Sequence, residues 1–249
     1  MKIINIESND PILEKYKKLK KYHEDLIILE SEKVIKFALN RGIYLEELVT
    51  NKDFFLKNEN LKADKVYLIE KQELNNLIGY KSHSGTFAVV PKPREKQIKN
   101  NRVIILDGLT SPENVGSICR SARAFGFDNI IYSNKGITPY LRRCIRVSTG
   151  HVLGLNVIKS LNLLKTVQNL KDDGFKILSA HNSKSSLNVE GIEIQNHKIA
   201  LIVGSEGHGI SNDLIDMSDM EIKINTHTSV DHLNVSNASS ILMFYLKHI

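Results

Sequence analysis

The sequence predicts an α/β fold carried mostly by a parallel sheet, and two observations lead there. Through the second half of the chain, short apolar runs such as "VIILDG", "NIIYSN" and "KIALIVG" alternate with segments of helical periodicity. Strands that read as continuous apolar runs are buried on both faces, and helical connections between them make neighbouring strands parallel. The second observation is a break in composition. Residues 91–101, "PKPREKQIKNN", have two prolines, many charges and no apolar period, and read as a linker between residues 1–90 and 102–249.

In the first unit, residues 11–22 read as a lysine-rich helix, followed by a strand "DLIILE", a helix "SEKVIKFALNRG", a strand "KVYLIE", a helix "KQELNNLIG" and a strand "GTFAVVP". The second unit opens with the strand "VIILDG". Ser111 is suited to cap the next helix and Pro112 to its first position, where a missing N–H costs nothing. Val115, Ile118, Ala122 and Phe125 form the expected buried stripe of that helix, Gly126 ends it, and Gly116, Arg120 and Arg123 fall on the other side. Then come "NIIYSN" as strand, "TPYLRRCIRVS" as helix, "LNVIKS" as strand, "LNLLKTVQNLKDDG" as helix and the strands "FKILSAH", "KIALIVG" and "MEIKIN". A last helix, "NASSILMFYLKHI", has Ala238, Ile241, Leu242 and Tyr245 on one apolar stripe.

At 249 residues the chain has room for two domains, each with a core. Its formal net charge of +6 favours an acidic partner such as nucleic acid. Two cysteines, Cys119 and Cys144, are too few for a disulfide framework or a four-cysteine zinc site, so a reducing compartment and no metal are expected. The start lacks an apolar secretion signal, and no stretch approaches the ~20 apolar residues of a membrane span. A cytoplasmic protein with no membrane partner is the expectation.

Three loops that follow strands concentrate polar residues, the first two with glycine as well: 107–116, 204–211 and 226–240. Ligands of parallel sheets sit at the carboxyl ends of strands. The glycines at 204, 207 and 209 have the wrong order for a dinucleotide fingerprint, and Glu206 among them would repel a pyrophosphate. His208, His227 and His232 lack helical metal-ligand spacing. Basic residues gather in two places: Lys17, Lys18 and Lys21 on the first helix, and Arg142, Arg143 and Arg146 beside Arg120 and Arg123. Each fits a solvated face, and with the net charge both fit a polyanionic backbone.

In order, "PENVGSICRSARAFG", "LIVGSEGHGIS" and "VDHLNVSNASSI" resemble the three motifs of the SpoU-type (TrmH-like) RNA ribose 2′-O-methyltransferases of the SPOUT class. The resemblance covers residues 102–249, and the pattern of the first ninety residues is similar to the ribosomal-protein-like α/β substrate domain of many members. It implies a deep C-terminal trefoil knot, S-adenosylmethionine as cofactor, a homodimer, and methyl transfer to a ribose 2′-hydroxyl. The RNA it implies is large-subunit ribosomal RNA ahead of transfer RNA, because the extra domain suits a structured target. Position by position, it implies catalytic roles for Asn114, Arg120, Glu206 and Ser236, and cofactor contacts for Gly204, Ile224, Leu233 and Asn234. RNA contacts are expected from Arg123, the three lysines and Arg142, Arg143 and Arg146.

The sequence departs from the family at residues 225–228, "NTHT", where Pro-Met-x-Gly is usual, and His232 stands where serine is common. A β-branched Thr228 resists positive φ, so a cofactor loop of different shape is expected. Two other classes compete. A non-catalytic RNA-binding factor with the same fold is opposed by Asn114, Arg120 and Glu206. A nicotinamide-dependent oxidoreductase is opposed by the glycine order.

Overall fold

The computed structural model describes residues 1–7, 9–13, 25–58, 61–70, 72–73, 85–98, 100–194, 198–227 and 233–247. The chain divides into two compact units, Met1–Pro93 and Arg94–Ile249.

The first unit has a five-stranded sheet in the order β1-β4-β3-β5-β2: β1 (Lys2–Asn5), β2 (Leu26–Glu30), β3 (Leu45–Thr50), β4 (Ala63–Leu68) and β5 (Phe87–Pro91). β1, β4 and β3 run parallel, while β5 is antiparallel to both β3 and β2. Two helices are described, α1 (Glu32–Asn40), capped by Ser31, and α2 (Lys52–Leu56), capped by Asn51. The core gathers Val49, Tyr67, Phe87 and Val89 from three strands with Ile6, Leu13 and Ile69. β1 and β3 are additions to the sequence reading. The β3 run "LEELVT" hides its character behind two glutamates, yet Leu45, Leu48 and Val49 are fully buried. Most of the expected helices at 11–22 and 71–79 lies outside the described residues.

The second unit is a sheet with seven described strands, all parallel, in the order β10-β12-β9-β11-β6-β7-β8. The strands are β6 (Arg102–Asp107), β7 (Asn129–Ser133), β8 (Asn156–Ser160), β9 (Lys176–Ala180), β10 (Leu187–Asn188), β11 (Ile199–Gly204) and β12 (Met220–Lys223). Five helices accompany them: α3 (Pro112–Phe125), α4 (Arg142–Val147), α5 (Leu163–Asp172), α6 (Asn212–Met217) and α7 (Val235–Leu246). Side chains alternate across each strand, so Val103, Ile105, Ala200, Ile202 and Ile177 share one face and pack with Val167 and Leu170 of α5 and Leu214 of α6. Ile104 and Leu106 point the other way and are as deeply buried. Burial on both faces is the reason these strands read as unbroken apolar runs.

The amino edge of this sheet is stapled by amides. Asn156 receives the Lys96 backbone N–H at 2.8 Å and donates to the Lys96 carbonyl at 2.8 Å and to Asn129 Oδ1 at 2.9 Å. Asn129 in turn donates to Asn100 Oδ1 and, at 3.1 Å, to the Arg102 carbonyl. Residues 94–101 are therefore tied to the second unit.

Two helix readings change. The helix expected over 138–148 begins at Arg142, because Thr138 forms a turn: its Oγ1 receives the Tyr140 N–H and its carbonyl receives the Leu141 N–H. In α7 the buried residues are Ser236, Ser239, Leu242, Met243 and Leu246, and Tyr245 is exposed. The helix meets the neighbouring α3 through Ser240, whose hydroxyl meets that of Ser121 at 2.7 Å.

Candidate functional site

α3 begins as its sequence dictates. The Ser111 side chain accepts the Asn114 N–H, Pro112 follows at the first turn, and Gly126 closes the helix at φ 79°, where a β-carbon would be strained. Gly116 is not on an open face. A β-carbon there would lie 2.8 Å from the Cys144 carbonyl oxygen and 2.7 Å from Val147 Cβ, so glycine lets α3 and α4 touch. Asn114, at the start of α3, is thereby held at the carboxyl edge of the sheet.

The loop after β11 is a closed turn. Ser205 and Gly209 exchange backbone hydrogen bonds at 3.1 and 2.8 Å, the His208 N–H reaches Ser205 Oγ at 3.2 Å, and Gly209 takes φ 68°. Beyond it, Asp107 Oδ2 at the end of β6 accepts the Ser211 N–H at 2.9 Å. The turn passes so close to the strand end that a β-carbon on Gly204 would lie 2.0 Å from the Gly209 carbonyl carbon. Gly204 is thus required first by its own loop.

These two segments meet at the head of α7. Asn234, not Ser236, is the cap of that helix: its Oδ1 accepts the Ser236 N–H at 2.9 Å and the Ser236 hydroxyl at 2.6 Å. A backbone N–H can only donate, so this contact fixes which end of the Asn234 amide is oxygen. The NH₂ group then donates to Asn114 Oδ1 at 3.0 Å and to Glu206 Oε1 at 2.6 Å. Orientation propagates: with Asn114 Oδ1 turned to Asn234, the Asn114 NH₂ is left to donate elsewhere, and Glu206 keeps Oε2. All four hydrogen-bonding positions of the Asn234 amide are filled by protein.

Gly204, Ile224, Leu233 and Asn234 all line one cavity of about 530 Å³, together with Glu206. Its walls come from the carboxyl ends of β9, β11 and β12 and from α7, with Val203, Ile210, Ile222 and Leu242 as apolar lining. Ser236 is only 7% exposed and its hydroxyl is turned to Asn234, so it supports the asparagine and does not face a substrate. Arg120 is exposed on α3, outside the cavity lining, and makes no ion pair or hydrogen bond among the described residues. Arg123 pairs with Asp128, and Arg143 Nε donates to Glu113 Oε1 at 2.8 Å. Arg142 and Arg146 are half-buried and have interactions of their own. Lys17, Lys18, Lys21, Thr228 and His232 lie outside the described residues.

The sequence reading passed over one polar group of the cavity. His181 and Asn182, just after β9, line it, as does Lys223. His181 Nδ1 lies 3.0 Å from Glu221 Oε2. The Ser183 hydroxyl foremost, against some desolvation and with His181 adding, holds the Glu221 carboxyl below its ordinary range. Position alone could have found them, since the loop after β9 leaves the same sheet edge as the motif loops.

With this geometry in view, likeness to known proteins is informative. The model of the SpoU rRNA Methylase family matches residues 101–244. This chain belongs to that family. A putative TrmH family tRNA/rRNA methyltransferase of Staphylococcus aureus is 30% identical over 87% of this chain and 89% of its own length. Among solved structures, an S-adenosylmethionine-bound rRNA methyltransferase of Sinorhizobium meliloti superposes with TM-score 0.85 at 18% identity, covering 99% of this chain and 98% of its own. An RNA 2′-O ribose methyltransferase gives 0.80 at 20% identity, over 99% and 98%. Both structural likenesses show a shared α/β fold. Among the described residues no helix is long and apolar enough to cross a membrane.

Proposed function

We propose that this SpoU family member is an S-adenosylmethionine-dependent methyltransferase acting on a ribose 2′-hydroxyl of RNA, with large-subunit ribosomal RNA as its substrate. The observation that carries the reading is the meeting of Asn114, Glu206 and Asn234 at one hydrogen-bonded node beside a cavity at the carboxyl edge of the sheet. The cavity fits the cofactor. Its volume of about 530 Å³ lies within the usual range of small-molecule sites, roughly 300–1,000 Å³. Its apolar walls suit a nucleoside, while Glu206, His181 and Lys223 offer polar partners to an amino-acid tail. Gly204, Ile224 and Leu233 hold the cofactor, and Asn234 contributes through its backbone because its amide is filled. When bound, the cofactor supplies an electrophilic methyl group on a sulfonium.

A ribose hydroxyl is a poor nucleophile, so the protein must help its proton leave and stabilise the oxyanion. Glu206, fixed through one oxygen, has the other to accept that proton's hydrogen bond. Asn114 has its NH₂ group to orient the ribose or an adjoining phosphate. Arg120 offers its guanidinium as a fixed positive charge to the 2′-oxygen and not as a base. Arg142, Arg143 and Arg146 on α4 give a basic face for phosphates, and Lys17, Lys18 and Lys21 are separate candidates for RNA contacts. Arg123 is paired with Asp128 as Arg143 is with Glu113, and both are candidates for phosphate contacts.

Ribosomal RNA is favoured over transfer RNA by the family's description and by the full-length likeness to an rRNA methyltransferase, and the first unit of this chain is assigned here to substrate binding. We also propose that residues 102–249 close the deep trefoil knot of the class and that the protein is a homodimer. Exposed Phe244, 46% accessible, stands edge-on to Phe125 with centroids 5.8 Å apart, an aromatic surface that a second copy would cover. Mapping ribose methylation in ribosomal and transfer RNA from cells with and without the gene tests the reaction and the target together. A ribose that loses its methyl group in large-subunit RNA is the expected result.

A further inference from the structure

The cavity carries one device that the three motifs do not contain. His181 leaves the end of β9 with its N–H bonded to the Ile222 carbonyl at 3.1 Å, which sets it beside Glu221 of the adjacent strand β12. The Nδ1 atom is buried, 3.0 Å from Glu221 Oε2 in a contact bent from a straight hydrogen bond. The side chain as a whole is 40% accessible and lines the cavity, so the open edge of the ring is the one away from Glu221. Glu221 is itself fixed. The Ser183 hydroxyl reaches Oε2 at 2.9 Å and that of Ser185 reaches Oε1 at 3.4 Å, while Lys223 Nζ ties the loop at the Ser183 carbonyl, 2.9 Å away. Ser186 Oγ closes the turn onto the His181 carbonyl at 2.6 Å.

A carboxylate beside Nδ1 keeps the proton on that nitrogen and leaves Nε2 as an acceptor. We propose that His181 is a ligand-recognition residue of the cavity, accepting at Nε2 a hydrogen bond from a hydroxyl or ammonium group of the bound S-adenosyl compound, with Glu221 as the positioning residue that fixes the imidazole tautomer. The proposal rests on the cofactor reading above. It also predicts discrimination: an acceptor at Nε2 favours donors and disfavours a carboxylate at that point.

Titration calorimetry on the full chain decides it, with S-adenosylhomocysteine and with 5′-methylthioadenosine, which keeps the nucleoside and lacks the amino acid. His181→Phe fills the same space without an acceptor and should weaken S-adenosylhomocysteine about 3- to 10-fold, the worth of one hydrogen bond. His181→Gln restores an acceptor and should recover most of that loss, and Glu221→Gln should fall between. An equal loss with methylthioadenosine assigns the donor to the nucleoside; a loss confined to S-adenosylhomocysteine assigns it to the ammonium group. Affinities of His181→Phe within about twofold of wild type for both ligands overturn the proposal, as does a glutamine variant no better than phenylalanine. If the wild-type protein binds neither ligand, the cofactor reading itself fails and this inference with it. Thermal melting of each variant separates a lost contact from a lost fold.

Discussion

Asparagines gather at both edges of the second unit's sheet, and the two groups use their amides differently. At the amino edge, Asn100, Asn129 and Asn156 bond to one another and to backbone at Lys96 and Arg102. Asn129 is 3% exposed. At the carboxyl edge, Asn234 is as fully bonded, but it turns its neighbours outward, so Asn114 keeps a free NH₂ group and Glu206 a free oxygen beside a cavity. One residue type thus serves as a staple where every partner is satisfied, and as a site where satisfaction at the centre leaves capacity at the rim. Buried amides left without partners are costly, so the open capacity belongs where a ligand or water can reach it.

The comparison predicts that backbone-level changes at the carboxyl edge cost the fold, while side-chain changes there cost chemistry. Gly204→Val should have the largest effect. The sequence alone suggests that valine there would block the cofactor and spare the fold, but its β-carbon would overlap the Gly209 backbone, which cannot yield as a flexible side chain does. A loss of at least ~3 kcal/mol is expected by denaturant unfolding, with the 205–209 turn opened. A variant of wild-type stability would mean the turn is looser than described.

Arg120→Lys comes next and keeps the charge while removing the planar fork. Methyl transfer should fall ~100-fold or more in single-turnover assays, with unchanged melting and cofactor affinity, because the role proposed for the group is on the reacting ribose alone. A rate within a few-fold of wild type would return Arg120 to the solvated surface. At the opposite edge, Asn129→Ala should cost about 1–3 kcal/mol, leaving Asn156 and Asn100 short of a partner, and should not alter the rate of the folded enzyme. Reduced turnover at full stability would erase the contrast between the edges. A small shift in stability is expected for Asn234→Asp. Its oxygen still caps α7, so melting should move by only a few degrees. Both donors vanish and a carboxylate faces Glu206, so turnover should drop at least tenfold.

The parallel sheet was legible because burial on both faces writes itself as unbroken apolar runs, and α3 because its cap, proline and terminal glycine are local signals. β3 was not, since its glutamates at 46 and 47 are compatible with a strand only once β4 and β5 flank it. The motif residues were found by their order along the chain. Their division of labour was not, because whether Ser236 faces a ligand or Asn234 depends on a rotamer and a neighbour, neither of which a sequence states. Gly116 shows the same limit: its need for closeness comes from Cys144 and Val147 on another helix.

The Asn234 node also sets an order of events. Asn114 must wait for a partner 120 positions further along the chain, whereas Glu206 waits for 28. As the polypeptide leaves the ribosome from its amino end, every strand of both sheets emerges before the residue that gathers the node. The node is therefore complete only once α7 docks and brings Asn234 to Asn114 and Glu206.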